Sequence, residues 1–100
     1  MPAKAVVNAS PLIYLSKAGF LDLLQLVGGE VVVPAVVADE ISKRGQTDPT
    51  VQALEKSPWL TIVGTPPVPP IIQAWDLGPG ESSVLAYAYA TPDAVVILDV

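Results

Sequence analysis

The chain predicts an α/β protein, a Rossmann-like three-layer sandwich around a central parallel sheet. Four short runs (AVV at 5–7, VVV at 31–33, LTIV at 60–63 and AVVIL at 94–98) are β-branched and continuously apolar. Strands covered on both faces have this pattern, whereas half-solvated strands alternate. Helical patterns separate the runs, and such alternation folds with right-handed crossovers. With 51% hydrophobic and 15% charged residues the chain forms a core, and 100 residues make a single domain, 1–100.

In chain order, AVV is broken by Asn8, a lone amide at the junction of strand and helix. Ser10 then reads as an N-cap and Pro11 as the first residue of a helix to about Ala18. Phe20 to Val27 is helical and stopped by Gly28-Gly29. Pro34 to Arg44 opens on a proline and closes at Gly45, and Asp48-Pro49 opens a helix to about Lys56. TPPVPP, ending at Pro70, is an extended polyproline-like connection. Glu81 to Ala90 is a helix preceded by GPG and ended by Thr91-Pro92. The text stops inside AVVILDV, before any element that would cover the last strand. It therefore reads as truncated at the C-terminus, or as borrowing cover from a partner chain.

Composition excludes several chemistries. Without cysteine or histidine there are no disulfides, no thiolate or imidazole zinc sites, and no serine–histidine or cysteine–histidine catalysis. The start lacks a signal-peptide apolar stretch, and no run reaches the roughly 20 apolar residues that span a bilayer. The expectation is a soluble cytoplasmic protein. GPGESS lacks the lysine of a P-loop, and its carboxylate would repel phosphate. Gly28-Gly29 precedes a strand, so no dinucleotide fingerprint exists. A net charge of −5 argues against a basic nucleic-acid face, but it suits acids gathered around a divalent cation.

Ligands of open α/β sheets bind beyond the carboxyl ends of the strands. Asn8 and Asp99 each follow an apolar run at such an end, where a turn former is the competing explanation. Glu40 lies three and four residues after Val37 and Val36, at the margin of an apolar helix face. Its bland alternative is a surface ion pair with Lys43 or Arg44, while Asp39 points about 100° away toward solvent. Glu81 opens a helix whose Val84 and Leu85 form the apolar stripe, and simple stabilisation by the helix dipole competes there. Asn8, Glu40, Glu81 and Asp99 are all oxygen donors, a set suited to Mg²⁺ or Mn²⁺.

VVNASPLIYLSKAG, VVVPAVVADEI, LGPGESSVLAYA and VVILD, in that order, resemble the PIN-domain family, most closely its subgroup with an N-[AT]-S-P-L opening. The resemblance covers the whole chain. It implies a Mg²⁺- or Mn²⁺-dependent endoribonuclease, often the toxin of a toxin–antitoxin pair, with RNA as substrate and an antitoxin protein as partner. It carries Asn8 onto the first metal position, aspartate in most members, and Glu40, Glu81 and Asp99 onto the acids that bind metal and catalyse. Ser10, which capping alone explains, could also hydrogen-bond the site from behind the ligands. The family continues past LDV with an arginine-containing helix and a further strand. A catalytically degenerate PIN-like module that only binds a partner protein is the alternative, with a small-nucleotide binder behind it. The bare apolar strand edge adds the expectation of a homodimer.

Overall fold

The computed structural model describes residues 4–98. Its core is a four-stranded, all-parallel sheet of β1 (Lys4–Val7), β2 (Glu30–Pro34), β3 (Leu60–Val63) and β4 (Ala94–Ile97), in the order β3-β2-β1-β4. The α/β class and the four strands agree with the sequence expectation. Val6 pairs with Val32 on one side and Val96 on the other, so β1, like β2, is an interior strand. β1 and β2 are buried over almost their whole length, as their unbroken β-branched runs require. The outer strands are not. Ile62 in β3 and Val95 in β4 are exposed, which corrects the expectation that all four runs are covered on both faces. A continuous apolar run cannot distinguish a central strand from an edge strand.

Five helices connect the strands: α1 (Ala9–Ala18), α2 (Ala35–Ser42), α3 (Pro49–Glu55), α4 (Pro70–Gln73) and α5 (Pro79–Ala90). A short 3₁₀ segment, Leu21–Leu26, lies between α1 and β2. α1 packs on α3, α5 crosses β1, β2 and β4, and α2 touches both α1 and α5. Leu12, Ile41 and Val84 carry the helices onto the valines of the sheet. Burial of each such side chain contributes about 1.5–3 kcal/mol.

Three helix starts differ from the sequence reading. α1 begins at Ala9, with Asn8 rather than Ser10 at the N-cap position. Pro11 is then the third helical residue, tolerated because the N–H groups of the first turn lack intrahelical partners anyway. α2 starts at Ala35, after Pro34 has completed β2, and α5 starts at Pro79, so GPG is the helix start and not a loop before it. Only α3 is as read, with the Asp48 carboxylate accepting from the Thr50 N–H at 2.8 Å and Pro49 first in the helix. α4 had no sequence signal beyond a proline. It is a single turn after the polyproline connection.

Candidate metal and phosphodiester site

β1 runs to β2 and β2 to β3 in one direction along the sheet, while β4 lies on the other side of β1. The chain order therefore reverses between β1 and β4, and in doubly wound sheets the crevice at that reversal is where ligands bind. Asn8 stands there. Its backbone N–H donates to the Ile97 carbonyl at 3.0 Å, fixing the end of β1 to β4. Asn8 is only 7% exposed, and although it occupies the N-cap position of α1, its amide makes no capping hydrogen bond. Asn8 thus ends β1 without acting as a side-chain cap, and its amide is free to turn toward the sheet's carboxyl edge.

Two further elements converge on it. α2 brings Glu40 up from the helix that follows β2, with Val37 and Ile41 of the same helix fully packed in the core. α5 brings its first turn, where Gly80 is buried. A β-carbon added to Gly80 would stand 2.8 Å from Glu40 Oε1, 3.2 Å from Glu40 Oε2 and 3.2 Å from Asn8 Oδ1. The carboxylate and the amide oxygen thus border one space next to a helix start that carries no side chain.

The ion-pair alternative for Glu40 is not what the structure adopts. Arg44 pairs with Asp48 at 3.0 Å, and Lys43 makes no ion pair among the described residues. Glu81 follows Gly80 as the third residue of α5 and is exposed, in the first turn, where the helix dipole favours a negative charge. Ser10 is half-buried in the first turn of α1. Asp99 lies outside the described residues. Among those residues, no three His, Cys, Asp or Glu side chains gather closely enough to hold a metal ion. The donor pair that does converge is mixed, one carboxylate and one amide. Both are hard oxygen donors beside a cradle that a single β-carbon would fill, and this suits Mg²⁺ or Mn²⁺ better than a softer metal.

Sequence reasoning passed over Gly80, whose GPG reads there only as the segment before a helix. Gly28 reads as a stop, yet a β-carbon there would meet Ala5 N at 3.1 Å and Ala5 Cβ and Lys4 C at 3.3 Å. It is needed for the close approach of the segment before β2 to β1. At the opposite, amino edge of the sheet, Lys4 donates to the Tyr87 hydroxyl at 3.3 Å and pairs with Glu30 at 3.6 Å.

The fold is an all-parallel α/β sheet with a carboxylate and an amide oxygen bordering one space at its reversal point. A family model described as a PIN domain matches residues 4–99, and the chain belongs to the PIN-domain family. No curated protein and no solved structure matches it. Among the described residues no helix is long and apolar enough to cross a membrane.

Proposed function

We propose that this chain is a Mg²⁺- or Mn²⁺-dependent endoribonuclease, acting in the cytoplasm as the toxin of a toxin–antitoxin pair. The observation that carries the reading is the convergence of the Glu40 carboxylate and the buried Asn8 amide on the bare Gly80 turn, at the strand reversal. When bound, the ion supplies an activated water and charge stabilisation at an RNA phosphodiester. Glu40 and Asn8 would hold it from α2 and β1, and Glu81 from the start of α5. Asp99 joins them on the family resemblance. Asn8 contributes an oxygen without a charge, so the site carries one negative charge fewer than it would with aspartate. Ser10, on the turn after Asn8, would support the site from behind the ligands. Glu40→Ala and Glu81→Ala should each abolish Mn²⁺-dependent cleavage of RNA while leaving the circular dichroism spectrum unchanged. Undiminished cleavage by either variant refutes the assignment of that residue.

A specific observation also favours the second reading, a degenerate module that binds a partner protein. Ile71, Ile72, Trp75, Leu85, Ala88 and Tyr89 line an apolar groove between α4 and α5, and Trp75 is 56% and Tyr89 70% exposed. No lysine or arginine follows Lys56, whereas Asp76, Glu81 and Asp93 do. The groove therefore suits a basic, apolar segment of an antitoxin better than it suits RNA. β4 has no strand on its outer edge among the described residues, which supports a homodimer through that edge. Titration calorimetry with Mn²⁺ separates the readings, because the degenerate module gives no specific heat. Light scattering of the purified protein tests the dimer.

A further inference from the structure

We propose that Gly80 is a positioning residue of the site: its missing side chain lets the first turn of α5 close against the Glu40 carboxylate and the Asn8 amide, so that both oxygens border the same ligand. The inference rests in part on the metal-dependent reading above, but its geometric half stands without any metal.

Gly80 is not there for backbone conformation. Its φ lies outside the left-handed region, unlike Gly19 at +78° and Gly45 at +97°, and it is the second residue of a regular helix. At such a position alanine is the better helix former. Space is the remaining reason for a glycine. Of the three atoms nearest to a β-carbon there, all within 3.2 Å, two are at the tip of Glu40 and one is the Asn8 amide oxygen. None of these three is a backbone atom. The two neighbours differ in their ability to yield. Glu40 is exposed and its carboxylate can swing into solvent, whereas Asn8 is buried at the end of β1, with its own N–H bound to Ile97. A methyl group at position 80 therefore expels Glu40 from the shared space and leaves the fold in place. Glycine at this turn costs helix stability and keeps the two oxygens together.

Two measurements on Gly80→Ala test this. The first needs no metal: Tm is measured for wild type, G80A, E40A and the double variant. G80A should raise Tm more in the E40A background than in the wild type, because the clash disappears with the Glu40 side chain. Equal shifts in both backgrounds overturn the close approach and with it the proposal. The second reads the ligand space through Asn8, the only asparagine in the chain. Its side-chain NH₂ pair in a ¹⁵N–¹H spectrum is identified by its loss in N8D. Mn²⁺ should broaden this pair in the wild type, and G80A should need at least tenfold more Mn²⁺ for the same broadening. Broadening at the same Mn²⁺ concentration in G80A overturns the positioning role. If Mn²⁺ leaves the wild-type pair sharp, the metal-dependent reading fails, and the four-way Tm comparison alone decides whether Gly80 spaces Glu40 from α5.

Discussion

Replacing Gly28 by alanine introduces the same methyl group as at Gly80, with the opposite expected outcome. The added β-carbon would lie 3.1 Å from the Ala5 nitrogen and 3.3 Å from Lys4 C and Ala5 Cβ, so two of its three near neighbours are backbone atoms of β1. β1 cannot withdraw, because it is bonded to β2 on one side and to β4 on the other. Overpacking of this kind costs about 1–3 kcal/mol. Against it stands a gain of about 0.4–1 kcal/mol from the stiffer unfolded chain. The net effect is a loss of about 1–2 kcal/mol, and at about 4–8 °C per kcal/mol for a domain of this size Tm falls by about 5–15 °C. Urea and thermal unfolding followed by circular dichroism measure it, with Gly64→Ala as the control. Gly64 has nothing within 4 Å of its would-be β-carbon and no left-handed φ, so alanine there should be neutral or stabilising. If G28A leaves Tm unchanged or raises it, the account of Gly28 as a close-approach glycine is wrong.

The remaining predictions concern the site and one helix cap. Asn8→Asp places a carboxylate in a buried position beside Glu40, so the metal-free protein should lose Tm while Mn²⁺ affinity by calorimetry rises about tenfold, the equivalent of about 1.4 kcal/mol. Weaker Mn²⁺ binding by N8D removes Asn8 from the ligand set. Glu40→Gln should lower Mn²⁺ affinity with Tm within about 2 °C of wild type, since exposed substitutions outside special features change stability little; a large loss of Tm makes Glu40 structural. For Asp48, burial pushes the carboxyl pKa up, but the Thr50 N–H and the Arg44 guanidinium outweigh it, so the folded value lies below the ordinary 3.8. A depressed carboxylate pKa contributes stability that is complete above the unfolded value and is lost as pH falls through the folded one. Wild type should therefore lose its advantage over Asp48→Asn below about pH 4, and a constant difference from pH 7 to pH 3 contradicts the pairing.

Much of the fold was legible before any coordinates. The four β-branched runs are the four strands, because a β-branched apolar run has few ways to bury itself except in a covered sheet. Asp48-Pro49 announced α3, since a side-chain cap and a fixed φ are properties of the residues themselves. Helix starts without such a cap were misplaced. Asn8 stands at the N-cap position without capping, and Gly78 and Pro34 start helices with no side-chain bond, so local sequence held no marker for them.

The sequence by itself determined the α/β class, the oxygen-only donor chemistry and the exclusion of histidine and thiolate catalysis, because each follows from which side chains exist. Only the tertiary structure decided that β4 lies beside β1, that Glu40 faces Asn8 and not Lys43 or Arg44, and that Gly28 and Gly80 are spaces and not simply turns. Those facts depend on distances between segments tens of residues apart, and a glycine's neighbours across such a gap leave no trace in its own letter.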